Sequence, residues 1–234
     1  MPHFYPIFLD VTSRNVVIVG GGAVAARKAA GIVAAGGKSI RAIAGKFVRD
    51  FPAEVEKKVG NFEPGDLDGA QLVFAATDST AVNDTVVAEA RKRGILVQRG
   101  DGEETEEPGD FIVPAVLRCG AIIVGVSAGG SPALAAGLRD AIAGSVSDDW
   151  VNLAEALKQL RPAIRKCGLP IARRREIFRA LATTEAADAM KDGGMAGLRK
   201  WAKEKFSDLP PLEVGPHPDP LPGYQERGKE GSPP

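Results

Sequence analysis
Between the apolar run Val16 to Val19 and a helical pattern carrying Arg27 and Lys28 lies Gly20-Gly21-Gly22-Ala23-Val24-Ala25. The spacing is that of G-x-G-x-x-[GA], set between a strand and a helix. Gly20 turns the chain sharply, Gly22 lets backbone approach a phosphate, and Ala25 is small enough for the helix to pack on the sheet. The first amides of that helix, at its positive dipole end, then face an anion. This arrangement suits a dinucleotide pyrophosphate. The competing reading is a tight αβ turn that binds nothing.

The elements that must hold this turn alternate between strand and helix. Ser39 to Ala44 is expected as a second strand, Phe47 to Val55 as a short helix running into a third strand near Glu56 to Val59, and Gln71 to Ala76 as another, with Thr77-Asp78 at its carboxyl end. A helix over Ala81 to Arg93, closed by Gly94, leads to a strand over Ile95 to Gln98. The fold class is therefore α/β, with half or more of a doubly wound, Rossmann-like parallel sheet. From Phe111 the rhythm changes. Phe111 to Leu117 and Ala121 to Ser127 read as a strand pair, and Pro132 to Ser145 as a helix capped by Ser131. Asp148 to Leu160, Ile171 to Ala182 and Met195 to Phe206 are helical by period. Lys158, Arg161, Arg165, Lys166 and Arg173 to Arg175 make that part basic. Expected domains are 1–112, a dinucleotide-binding domain; 113–146, a strand and helix region; 147–206, a helical domain; and 207–234, a proline- and glycine-dense tail expected to be disordered. Before the first strand, Phe4, Ile7 and Leu9 suggest an edge strand or an extended arm seeking a partner surface.

Composition narrows the function classes. In 234 residues, 44% hydrophobic content supplies a real core, and 30 basic residues balance 30 acidic ones, so no overall field argues for nucleic acid or an anionic membrane. Cys119 and Cys167 stand far apart, and His3 and His217 are the histidines, which speaks against a disulfide framework or a histidine-held metal. No apolar run approaches a membrane span, and Met1 to Asp10 lacks the basic start of a signal peptide. A cytoplasmic protein is expected.

In order along the chain come Tyr5-Pro-Ile-Phe-Leu-Asp10, Gly20 to Lys28, Ala75-Ala-Thr-Asp78 with Asn83, and Gly94-Ile-Leu-Val97. Then follow Asp110-Phe-Ile-Val-Pro-Ala115 and Ser127-Ala-Gly-Gly-Ser-Pro-Ala-Leu-Ala135. With these motifs the chain, over about residues 4 to 145, resembles the precorrin-2 dehydrogenases, including the N-terminal module of siroheme synthases. The resemblance implies an NAD-binding domain, dimerisation through the 113–146 region, a helical C-terminal part and a homodimer. It implies oxidation of precorrin-2, a polycarboxylated tetrapyrrole, to sirohydrochlorin, with a hydride passing to NAD and protons leaving the macrocycle.

Residue by residue, the resemblance carries the family's essential aspartate onto Asp101, as proton acceptor or orienting acid, against a reading as a loop acid solvating a turn. It carries cofactor contacts onto Gly20, Gly21, Gly22, Ala23, Val24, Ala25, Ala44, Gly45, Thr77 and Asp78. Arg99 and Arg118, with Arg27 and Lys28 nearer the turn, are candidate cations for a polycarboxylate, or plain surface charges. Ser127 either lends a hydroxyl near the cleft or caps the turn before Pro132.

Three departures stand out. Gln98-Arg-Gly-Asp101 replaces an Asn-Val-Val-Asp-like run, Ala128 stands where the family commonly has Ser or Thr, and Gly102 to Gly109 is a longer, acidic segment. Its four glutamates would repel a carboxylate-rich substrate if they crowded Asp101, so a solvated loop pointing away is expected. No acid lies about twenty residues after the glycines, where NAD-preferring folds usually place one. The bare sequence there accommodates a 2′-phosphate through Arg41 or Lys46, whereas the resemblance favours NAD, held by backbone at Ala44 and Gly45. A bifunctional dehydrogenase and ferrochelatase, and a non-catalytic dinucleotide- or tetrapyrrole-binding protein, are the alternatives.

Overall fold
The computed structural model describes residues 4–100 and 109–211. These fall into two compact units that divide after Val113.

In the first unit, the apolar runs β1 (Asn15–Val19) and β4 (Leu72–Ala75) lie inside the mixed β2 (Ser39–Ala44) and β5 (Leu96–Arg99), with the polar β3 (Glu56–Val59) at one edge. All pair in parallel, in the order β3-β2-β1-β4-β5. The chain starts in the middle and winds outward both ways, so β1 lies between β2 and β4. Its side chains alternate between two cores. Val16 and Ile18 pack with Ala25 and Ala29 of helix α1 (Ala23–Ala34), while Val17 and Val19 pack with Val86, Val87 and Ala90 of α2 (Thr80–Lys92). Burial on both faces is why β1 reads as a continuous apolar run and not as an alternation.

The helix expected over Phe47 to Val55 does not form; the segment is a series of turns. Pro52 offers no amide hydrogen and keeps Phe51 from helical geometry. The two aromatic residues that suggested the helix still meet, Phe47 and Phe51 edge to face with centroids 4.9 Å apart. Residues 4–10 form no strand, and Phe4, Ile7 and Leu9 are exposed.

The second unit begins with an antiparallel hairpin, β6 (Ala115–Cys119) and β7 (Ile122–Val126), turned at Gly120 with φ 54°. The first strand starts at Ala115 and not at Phe111, as Pro114 has no amide hydrogen for a ladder. Helix α3 (Pro132–Ser145) contacts both strands, its start capped by the Ser131 hydroxyl, which accepts from Leu134 N–H at 3.3 Å. Then come α4 (Asp148–Lys166), α5 (Ile171–Ala180) and α6 (Thr184–Lys205), closed around Leu153, Leu160, Ile164, Ile177, Leu181 and Leu198. Two helix boundaries moved by more than two residues. Helix α4 runs past Leu160 through Pro162, and α6 begins at Thr184, eleven residues before the expected start at Met195. The cause is Gly194, with φ 57° and ψ −152°, which breaks the helix and restarts its apolar period at Met195. No described helix is long and apolar enough to cross a membrane.

Candidate functional site
The carboxyl ends of β1, β2 and β4 enclose a cleft of about 830 Å³ lined by Gly20, Gly21, Gly22, Ala44, Gly45, Thr77 and Asp78 among others. Seven of the ten expected cofactor residues thus meet in one place, from three loops far apart in sequence. Gly20 has φ 136°, and a Cβ there would collide with the Ala76 carbonyl. Gly21 is equally constrained: a Cβ would strike the Lys46 carbonyl and come within 2.7 Å of the Ala44 methyl. The Gly21 carbonyl accepts from Val48 N–H at 2.9 Å, tying the glycine turn to the loop after β2. Gly22 has open space where a Cβ would be and caps α1 with no side-chain hydrogen bond.

The other three expected residues play a different part. Ala23, Val24 and Ala25 form the first turn of α1, and none of them lines the cleft. Ala25 is fully buried, with its methyl 3.3 Å from where a Gly20 Cβ would be, so its role is packing of helix on sheet. What this turn offers a ligand is backbone: the first amides of a helix have no partner within it, and Gly22 brings none from a side chain. Bare amides, open space at the Cβ position of Gly22 and a cleft of cofactor size fit a dinucleotide. Lys28, half-buried one turn on, has its pKa lowered by burial first and by Arg27 second.

The loop after β4 is held by a residue outside the expected set. Asn83, wholly buried in α2, accepts at Oδ1 from Thr77 N–H at 3.1 Å, contacts Thr77 Oγ1 at 2.8 Å and donates from Nδ2 to Thr77 O at 3.1 Å. The Ser79 hydroxyl caps the same helix, accepting from Val82 N–H at 3.4 Å. Asn83 therefore positions Thr77 and Asp78 at the cleft. Asn83→Ala is expected to cost about 1–2 kcal/mol of stability, because it removes the three hydrogen bonds between Asn83 and the half-buried Thr77, and to weaken dinucleotide binding. Urea unfolding with a parallel nucleotide titration checks both, and an unchanged midpoint with unchanged affinity would refute the assignment. Lys46, Phe47, Val48, Asn61 and Phe62 also line the cleft. The last two follow Gly60, which has φ 152° just past the carboxyl end of β3.

At the end of β5 one expectation needs correcting. Arg99 is 3% exposed, and its guanidinium is bound to Asp84 of α2, Nη1 to Oδ1 at 2.5 Å. It is not a surface charge; its ion pair ties the strand to α2. Its neighbour Gly100 donates to Ala75 O at 2.7 Å and sits 3.2 Å, by its Cβ direction, from Ala76 Cα. Chain therefore leaves β5 beside the Thr77 loop. It returns at Asp110, whose amide donates to Val97 O at 2.7 Å and whose carboxylate accepts from Val97 N–H at 3.0 Å. Asp101, with residues 102–108 of the acidic segment, lies outside the described residues, as does the tail from residue 212.

Arg118 and Ser127 are exposed in the second unit, on β6 and just after β7. Ser131, not Ser127, is the cap of α3. Arg41 donates from Nη2 to Asp66 O at 2.7 Å, and Asp66 in turn receives Lys58 Nζ at 2.7 Å. Burial alone would raise the Asp66 pKa, but the hydrogen bonds from Lys58 and from Glu63 N–H, with the nearby cations, hold it below the ordinary value. Among the described residues no group of three or more His, Cys, Asp or Glu is gathered to hold a metal ion.

Residues 7–115 match an NAD(P)-binding family. A siroheme synthase from Chromobacterium violaceum is 33% identical over 210 residues, covering 87% of this chain and 44% of that protein. One from Nitrosomonas eutropha is 36% identical over 170 residues, covering 70% of this chain and 35% of the relative. The chain thus spans less than half the length of these curated relatives. Among solved structures, SirC, a precorrin-2 dehydrogenase, superposes with a TM-score of 0.69 at 19% identity, covering 86% of this chain and all of that one. At that identity the likeness is one of fold.

Proposed function
We propose that this chain, 87% of which is similar to part of a siroheme synthase, belongs with the dehydrogenase module of that family and is an NAD-dependent precorrin-2 dehydrogenase, forming sirohydrochlorin. The observation that carries the reading is the cleft in which Gly20, Gly21 and Gly22, the open start of α1 and the Asn83-held Thr77 loop converge at the carboxyl edge of a parallel sheet. When bound, NAD supplies the hydride acceptor. The chain's own part is to seat the pyrophosphate on the α1 amides, to set Thr77 and Asp78 against the cofactor, and to take up the proton that leaves the macrocycle. The proton acceptor is Asp101, one residue past Gly100, which is anchored beside the Thr77 loop. Arg27 and Lys28 on α1 are among the cations of this unit available to the substrate carboxylates.

The test is an anaerobic, metal-free assay of the full chain with freshly generated precorrin-2 and NAD, following NADH and the sirohydrochlorin spectrum together. Both should rise in step and in proportion to enzyme; failure of both while NAD binds would leave a dinucleotide-binding protein. Ferrous iron added to the finished reaction then tests the bifunctional alternative.

The active form is a homodimer joined through the hairpin and α3. Supporting this, Val116, Ile123, Leu134 and Leu138 of that segment are 37 to 56% exposed, more apolar surface than a lone hairpin leaves to water without cost. Light scattering during size exclusion should give twice the 24.5 kDa chain mass. A monomer there would overturn the dimer.

A further inference from the structure
We propose that the ribose end of this cleft is a phosphate-accepting subsite built on Lys46, so that the protein binds NADP comparably to NAD. The inference rests on the dinucleotide reading above. In doubly wound sheets the chain just past β2 decides the matter: a carboxylate there receives the ribose 2′-hydroxyl and excludes a 2′-phosphate by charge, while a cation accepts it. Here β2 ends at Ala44 and continues into Gly45 and Lys46, all three lining the cleft. The charged residues among the lining are Lys46 and Asp78, and Asp78 follows β4, on the other side of β1. No carboxylate therefore lines the β2 end.

Of the two cations that sequence placed in this region, the structure leaves one for the task. Arg41 is spent on the Asp66 carbonyl, within the cluster that also takes Lys58. Lys46 is exposed at the cleft, and its backbone is fixed: its carbonyl lies against the α-carbon of Gly21, and the next loop residue but one, Val48, donates to Gly21 O. Room for a further group is present as well. A Cβ at Gly45 or at Gly60 would meet nothing within 4 Å, and the Asn61 side of the cleft is uncharged.

Calorimetric titration of the full chain with NAD and with NADP, at two salt concentrations, tests this. The dissociation constants should agree within about fivefold, with NADP binding the more salt-dependent. Lys46→Glu should raise the ratio of the NADP to the NAD constant by at least about tenfold, and Lys46→Arg should keep the wild-type ratio. NADP binding more than about a hundredfold weaker than NAD, or a ratio unmoved by Lys46→Glu, would overturn the subsite while leaving the dinucleotide cleft standing. Binding of neither nucleotide would overturn the cleft itself, and this inference with it.

Discussion

Replacing Asp101 by alanine is expected to lower kcat for precorrin-2 oxidation by about 10²- to 10⁴-fold, the range for loss of a positioned general base, with the NAD dissociation constant changed less than about twofold. The expectation follows from where the chain is anchored. Gly100 donates to Ala75 O, and Arg99 before it is buried against Asp84, so the described end of β5 is fixed next to the Thr77 loop. The two readings of this carboxylate separate by substitution. A proton acceptor must be a carboxylate, so Asp101→Asn, which keeps the shape and cannot take up the proton, should be slow as well. An acid that merely solvates the turn would give variants with near-normal rates. Single-turnover kinetics with NAD titrated separately distinguishes these, and a normal rate in Asp101→Ala would remove the residue from the mechanism.

Gly21→Ala is expected to damage both stability and binding, at about 1–3 kcal/mol of unfolding free energy, as for overpacking of a close-packed site, and at least about tenfold in NAD affinity. Its methyl would collide with the Lys46 carbonyl and crowd Ala44, so the loop after β2 must move away and lose the Val48 to Gly21 hydrogen bond. That loop is one wall of the cleft. Gly22→Ala is the informative contrast, because nothing lies within 4 Å of its Cβ position. It should leave stability within about 0.5 kcal/mol and still weaken NAD, since the methyl occupies the approach of the pyrophosphate to the α1 amides. Guanidinium unfolding of the free protein beside calorimetric NAD titration reads both quantities. If Gly21→Ala were as stable as Gly22→Ala, the packing argument would fail.

The α/β class, the parallel strands and the glycine turn were legible in the chain itself, because local apolar period reports how many faces of an element are covered. Val16 to Val19 is apolar at every position since β1 is roofed by α1 on one side and α2 on the other. The places where local reading failed are those where a second segment decides. Phe47 and Phe51 have helical spacing but are brought together by turns around Pro52, and a single glycine, Gly194, hid the first half of α6 by resetting its period.

For the site, type and spacing pointed to Gly20 and Gly22, and the resemblance pointed to Thr77 and Asp78 at the end of β4. The tertiary structure alone showed that Gly21, an unconstrained place in the motif, is pressed against Lys46, and that Asn83 holds Thr77. It alone divided the cations, committing Arg99 to Asp84 and Arg41 to Asp66 while leaving Lys46 at the cleft. The physical reason is common to all of these. An apolar residue's fate follows from its own pattern, whereas a charge or a glycine acquires its role from the particular atoms that folding brings against it, and in a parallel sheet those atoms come from strands and helices tens of residues away.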